Sequence, residues 1–185
     1  MYAGRGWTPE NFNPKYRIDE AIVSGSSMFY YTEKLNIDLV SFLAERNLVM
    51  KFQPYNDITK IFAISAITRV GEISLVDSKV ASTDCFADSK IKTIDLFRVN
   101  ENNYCALIFR NATNLENITF EGVIGTSINF QWSPLTSESV QSIIDHLKDL
   151  TGLTAQTLTL KNTVGANLTE AQRATITAKN WELVY

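Results

Sequence analysis

The sequence predicts an α/β repeat fold: a short solenoid with one short strand per coil and a two-helix cap at the C-terminal end. Three observations predict it. A phenylalanine-led unit recurs along the chain, and from Leu75 onward short alternating strands follow each other mostly at intervals of 21 to 30 residues. The strong helical patterns appear near the end, and a single helical turn is the reading of 41–46. Strands this short bury their apolar faces only by stacking on neighbours.

The recurring unit begins at Phe29, Phe62, Phe86 and Phe109. Branched aliphatic residues follow each phenylalanine at five or six and at eight or nine positions. A small residue three positions after each one predicts a tight interior corner, where a large side chain would clash. These small residues are Thr32, Ser65, Ser89 and Ala112.

The predicted strands alternate apolar and polar residues, which places the polar side chains on one face. The segments are Ile37-Asp-Leu39, Ile73-Ser-Leu75, Ile94-Asp-Leu96, Ile118-Thr-Phe120, Ile128-Asn-Phe130 and Leu158-Thr-Leu160. If a binding face exists, the outward ladder is the place where we expect it. Its predicted members are Asp38, Ser74, Asp95, Thr119, Asn129 and Thr159, a small, polar and slightly acidic set.

The C-terminal region changes to helical periodicity. An apolar stripe from Val140 to Leu150 predicts one helix, with Thr136 as its N-cap and Gly152 as a left-handed residue at its end. Thr169-Glu-Ala-Gln172 predicts a capping box that opens a second helix to about Lys179, before strand-like alternation returns at Trp181.

We therefore divide the chain into an aromatic N-terminal arm (1–20), the coils (21–132) and a C-terminal capping region (133–185) with two helices. The arm either packs on the first coil or docks on another subunit, since a large aromatic surface needs an apolar surface to cover it. The adjacent pair Tyr30 and Tyr31 is either packed between coils or exposed. The candidate partner-binding residues are Tyr2, Trp7, Phe12, Tyr16, Tyr30 and Tyr31.

The composition argues against most catalytic and metal-binding functions. The 185 residues carry a formal net charge of −3 and only one histidine and two cysteines. The chain lacks the basic excess of a nucleic-acid binder and has no apolar run long enough for a membrane span, and its N-terminus does not read as a signal peptide. His146 is read as a helix-surface residue, and Asp84 and Asp88 as solvated turn carboxylates rather than a cation site. We expect no catalytic residues, cofactor or metal.

Two segments carry a family resemblance. Phe109-Arg-Asn-Ala-Thr-Asn-Leu-Glu-Asn-Ile-Thr-Phe120 resembles a BspA-type leucine-rich repeat, although Ala112 stands where that family usually has cysteine. The segment from Ser133 to Trp181 is similar to the ending of many leucine-rich-repeat proteins of gut bacteria and their phages. The resemblance implies a leucine-rich-repeat-like solenoid used for display or interaction.

The sequence and the resemblance together predict a non-enzymatic structural or interaction protein. The leading hypothesis is a phage virion component of the tail, fibre or capsid surface that contacts other virion subunits or a host surface. A bacterial cell-surface adhesin and a carbohydrate-binding host-recognition module remain as alternatives. The module would need a flat aromatic platform, for which Tyr30, Tyr31 and Trp132 are the candidates. Self-association through the N-terminal arm is a further expectation.

Overall fold

Five parallel strands form the first sheet. The computed structural model describes residues 6–14, 21–23, 27–52, 59–78 and 83–185. The strands of this sheet lie in chain order, and every pair of neighbours is parallel. They are β1 (Ala21–Val23), β2 (Met50–Phe52), β3 (Arg69–Ser74), β4 (Thr93–Val99) and β5 (Asn117–Gly122).

Three further strands form a second, separate parallel sheet, and four helices accompany the two sheets in the described part of the chain. The second sheet contains β6 (Ile128–Phe130), β7 (Gln156–Leu160) and β8 (Trp181–Val184), with β7 in the centre. The helices are α1 (Leu39–Ala44), α2 (Ser137–His146), α3 (Asn162–Ala166) and α4 (Glu170–Ala178). None of these described helices has the length and apolar character needed to cross a membrane.

The predicted leucine-rich-repeat-like solenoid is wrong. The strands do not form one continuous ladder, because β5 ends the first sheet and β6 pairs with β7 instead. The C-terminal region contains three helices, α2, α3 and α4, rather than the two predicted. Its predicted strand segments, Leu158-Thr-Leu160 and the alternation from Trp181, are present as β7 and β8, but they pair with β6 in a sheet of their own. The architecture is a mixed α/β fold with two parallel sheets.

Helix α2 explains why the first sheet stops at β5. The Ser139 hydroxyl accepts a hydrogen bond from the Ile118 N–H at 2.9 Å, and the Ser142 hydroxyl accepts one from the Phe120 N–H at 2.8 Å. These two donors lie on the outer edge of β5, where a sixth strand would otherwise pair. The helix therefore satisfies the sheet edge with side chains and closes it.

The helix ends follow the predicted capping chemistry in part. The Thr136 side chain accepts from the Ser139 N–H at the start of α2, and Thr169 and Gln172 form the predicted capping box of α4. However, α2 ends at His146, because Leu147 is already extended. The predicted stripe to Leu150 therefore runs past the end of the helix.

A column of stacked phenylalanines forms the centre of the core. Phe29, Phe62, Phe86 and Phe109 lie in sequence, with successive ring centroids 5.3, 5.6 and 5.5 Å apart and nearly parallel planes. Phe130 extends the column at 4.7 Å. The recurrence seen in the sequence thus corresponds to one buried aromatic column, and the small residues three positions later are all buried as predicted: Thr32, Ser65, Ser89 and Ala112.

The described part of the N-terminal arm packs on the first end of this column. The Trp7 ring lies 5.7 Å from Phe29 and 5.0 Å from Phe12, and Phe12 lies 5.4 Å from Phe42. Phe12 is only 6% exposed. Trp7 and Phe12 therefore contribute to the core of this chain, while Tyr2 and Tyr16 lie outside the described residues.

Candidate interaction face

The exposed face of the five-stranded sheet carries charged side chains that alternate in sign from strand to strand. We call this surface the charged face. The residues inward of it, such as Val70 and Ile94, are buried, whereas its own side chains are partly exposed. Its members are Asp38, Lys51, Arg69, Glu72, Asp95, Arg98 and Glu121.

The first row of the charged face centres on Arg69. Its guanidinium donates two hydrogen bonds to the Asp95 carboxylate, at 2.8 and 3.1 Å, and lies 3.6 Å from the Asp38 carboxylate. The hydrogen bonds to Asp95 raise the pKa of Arg69 above its ordinary value, although burial opposes them. Asp38 also caps α1, since it accepts from the Ser41 N–H. Arg69 is thus held in one orientation by two carboxylates.

The second row crosses four strands. Lys51 on β2 lies 3.4 Å from Glu72 on β3, and Glu72 lies 2.8 Å from the Arg98 Nε on β4. Arg98 then contacts Glu121, its direct register partner on β5. Each charge therefore has an opposite charge on a neighbouring strand, which is the favourable cross-strand arrangement. Such partly exposed pairs stabilise a fold only weakly, so what they contribute here is the sign pattern of the surface.

An extra residue in β3 and β4 places these charges outward. Val70 and Ile73 are both buried, and so are Ile94 and Phe97, so each pair is separated by two half-buried residues instead of one. On β5 the ordinary spacing returns, and the register between β4 and β5 shifts accordingly. Glu72 and Arg98 follow the extra residue and face outward.

The predicted outward ladder is therefore only partly present. Ser74 is 5% exposed and belongs to the interior, whereas Thr119 is exposed and Asp38 and Asp95 join the charged face. Asn129 and Thr159 lie on the second sheet. The prediction also missed both arginines: the predicted segment in β3 begins at Ile73, after Arg69, and continuing the alternation of Ile94 and Leu96 would turn Arg98 inward. Apolar residues separated by three positions, Val70 to Ile73 and Ile94 to Phe97, were the signal.

The aromatic candidates take different positions. Tyr30 and Tyr31 contact each other edge-on, with centroids 4.3 Å apart and planes at 64°, and both are half-buried. The Lys60 ammonium lies 5.8 Å from the Tyr30 ring centroid. Trp132 is 49% exposed. The edge-on tyrosines do not form the flat platform on which a sugar ring would stack.

The residues weighed for chemistry have structural partners. The His146 Nδ1 lies 2.7 Å from the Ser142 carbonyl oxygen one turn earlier in α2. Arg110 donates to Asp84 at 2.8 Å and lies 3.9 Å from Asp88, and the hydrogen bond to Asp84 raises the pKa of Arg110. A cationic side chain thus already neutralises these two carboxylates. Within the described ranges, no three side chains of metal-ligating type cluster together.

Both cysteines are free and buried. Burial raises the pKa of Cys105 to about 12, although the hydrogen bond with Thr126 opposes this shift. The Cys105 thiol donates to the Asn103 carbonyl at 3.5 Å. Because the thiolate is the reactive form, this side chain acts as a small apolar core residue at neutral pH.

Comparison with known proteins gives no relatives. No protein-family model matches the chain, and neither the curated proteins nor the solved structures contain a match. The function is therefore argued from the charged face and the chemistry of the individual residues.

Proposed function

We propose that the protein is a non-catalytic structural or interaction protein whose charged face contacts a protein partner. The observation that carries the proposal is the fixed arrangement of Arg69 and Arg98, each held between two carboxylates on a sheet. Arginine is favoured at protein interfaces, and charges held in place by neighbours lose little entropy on binding. The alternation in sign gives a pattern that a partner matches by electrostatic complementarity.

The finer assignment, a component of a phage particle, rests on the sequence resemblance alone. The described parts of the structure contribute one argument that is compatible with it. A face of alternating charges suits contact between subunits, where specificity comes from the charge pattern and avidity from many copies. Other subunits of a particle, or a host surface, are the partners that this proposal names.

The test places a bulky cation on the charged face without removing an ion pair. Thr119 is exposed on β5 and lies on the same face of the strand as Asn117 and Glu121. The variant Thr119→Arg adds a long cationic side chain at this position. In lysates of the native host, the tagged wild-type protein should sediment with particles, and Thr119→Arg should reduce this fraction at least tenfold. The matched control is Thr177→Arg, which adds the same side chain at an exposed position of α4, outside the charged face.

Both variants should melt within a few degrees of the wild type, since neither position is buried. Unchanged sedimentation of Thr119→Arg with particles would exclude the charged face as the contact surface. A wild-type protein that sediments alone in all lysates would exclude the particle assignment.

A further inference from the structure

A cleft between α2, α3 and α4 lies apart from the charged face. It has a volume of about 370 Å³, which falls in the range of small-molecule sites. The cleft is open to solvent on one side, and none of its lining residues is charged. They are Pro134, Leu135, Ser137, Val140, Thr163, Val164, Asn167, Leu168, Thr169 and Gln172.

The floor of the cleft is apolar and its rim is polar. Leu135, Val140 and Leu168 are buried core residues that form the floor. The rim carries Ser137 and Thr163, which are exposed and whose hydroxyls bond to no other described residue, so they can meet water or a ligand. Asn167 completes it: its side-chain N–H donates to the Thr163 carbonyl at 2.9 Å, and its side-chain oxygen has no partner in the described part of the chain. Three uncharged polar groups therefore surround an apolar floor.

The walls of the cleft are held in place before any ligand arrives. The Thr169 N–H donates to the Gln172 side-chain oxygen at 2.9 Å, and the Gln172 side-chain N–H donates to Gln141 on α2 at 3.0 Å. These bonds fix the start of α4 against α2. A ligand would not have to order the walls, which removes one of the main entropic penalties of binding.

The chemistry of the lining selects a class of ligand. An ion would leave water for a site without a counter-charge, which is unfavourable. A purely apolar ligand that covered the rim would displace water from its hydroxyls and carboxamide without replacing those hydrogen bonds, which is unfavourable. A saccharide has C–H groups on its ring face and hydroxyls on its edge, and so matches both floor and rim.

We propose that this cleft binds an uncharged saccharide of one or two rings. The floor of Leu135, Val140 and Leu168 contacts the C–H face of the sugar. Ser137, Thr163 and Asn167 exchange hydrogen bonds with its hydroxyls. The site is independent of the charged face, so the two proposals stand or fall separately.

The test is a titration of the protein with neutral mono- and disaccharides, in which the NMR chemical shifts of the backbone amides report binding. The expected result is saturable shifts at Ser137, Thr163 and Asn167 with at least one sugar. Val164→Arg, which fills the cleft with a charged side chain, should weaken binding at least tenfold, and Asn167→Ala should weaken it several-fold. The control is Thr177→Ala, which lies on α4 but does not line the cleft, and this variant should bind like the wild type.

The absence of saturable shifts with every neutral sugar would overturn the proposal. Binding that survives Val164→Arg, or shifts that centre elsewhere, would overturn it equally. Acetate or sulfate bound in preference to sugars would show that the ligand class is wrong. Thermal denaturation of each variant shows whether it is folded. If Val164→Arg does not fold, Asn167→Ala still tests the proposal, because the Asn167 side chain is exposed and its loss should not unfold the protein.

Discussion

Two of the small residues that follow the column phenylalanines by three positions are buried serines, and their hydroxyls differ in hydrogen bonding. The Ser65 hydroxyl lies 2.8 Å from the Thr32 hydroxyl and accepts from the Ile67 N–H at 3.2 Å. The Ser89 hydroxyl is equally buried but has no partner within the described residues. The same residue type at equivalent positions therefore contributes with opposite sign to the free energy of unfolding.

Ser89→Ala should raise the free energy of unfolding by about 1 kcal/mol, because it removes a buried hydroxyl without a partner. Ser65→Ala should lower it by about 1 to 3 kcal/mol, since the buried Ile67 N–H then loses its acceptor. Urea denaturation of both variants measures the two changes in the free energy of unfolding. Equal destabilisation by the two substitutions would contradict this account of the hydroxyl positions.

The Cys105 thiol makes stability depend on pH in the alkaline range. Its pKa is about 12 in the fold and near the ordinary 9.0 in the unfolded chain. Between these values the unfolded state binds fewer protons than the folded state, so the free energy of unfolding falls as pH rises. The contribution is fully present below about pH 9 and is lost towards pH 12.

We expect the wild type to lose up to about 1.4 kcal/mol per pH unit more than Cys105→Ala within this window. The measurement is urea denaturation of both proteins across the alkaline range. The difference between the two proteins isolates the thiol from other titrating groups. Parallel curves for the two proteins would contradict the assignment.

Among the secondary-structure elements, α2 is the one that determines the architecture. Its two serines accept from the outer edge of β5, and the Lys179 ammonium lies 3.0 Å from the Ile144 carbonyl oxygen and 2.9 Å from the Leu147 carbonyl oxygen at the other end of the helix. The helix is thus joined to the first sheet at one side and to the chain after α4 at its end.

The double variant Ser139→Ala, Ser142→Ala should lower the free energy of unfolding by about 2 to 4 kcal/mol, because two buried backbone donors lose their acceptors. Hydrogen exchange should also accelerate at the Ile118 and Phe120 amides. Ser137→Ala, an exposed serine of the same helix, serves as the control and should change neither quantity. Slow exchange at both amides in the double variant would show that the serines do not close the edge.

Local signals in the sequence were sufficient where the chemistry is local. The N-cap Thr136, the capping box at Thr169 and the burial of the small residues after each phenylalanine follow from spacing alone. The division into two sheets could not be predicted, because it depends on Ser139 and Ser142 reaching a strand more than 20 residues earlier. Hydroxyls on a helix surface give no sequence signal for that role.

The candidate site was predicted less well than the fold elements. Alternation predicted Leu96 inward, but the extra residue in β4 buries Phe97 and leaves Leu96 half-buried. A shift of one residue transfers every later side chain to the opposite face. Arg98 was missed for this reason, and the charged face with it.

At the scale of the whole molecule, one continuous apolar core joins the two sheets. It extends from Phe12 at the first end of the phenylalanine column to Trp181 on the second sheet. A core without a break favours unfolding in one cooperative transition. The two-sheet architecture therefore does not imply two independent folding units.

Tryptophan fluorescence and far-ultraviolet circular dichroism should report the same urea midpoint. Trp7 lies at one end of the core and Trp181 at the other, whereas the third tryptophan, Trp132, is exposed. In a protein that carries Trp132→Phe, substituting Trp7 or Trp181 as well leaves one tryptophan that reports on its own end. Coincident midpoints are expected for both double variants. Two separated transitions would show that the sheets unfold independently.

The charged face is the feature on which the proposed function depends, and carboxyl footprinting tests it most directly. The free protein and the protein in its native assemblies would be labelled, and the modification of each carboxylate compared. The account predicts that Asp95, Glu72 and Glu121 are protected in the assembly, while Glu170 and Glu182 label equally in both states. Full labelling of the face carboxylates in the assembly, with protection elsewhere, would contradict it.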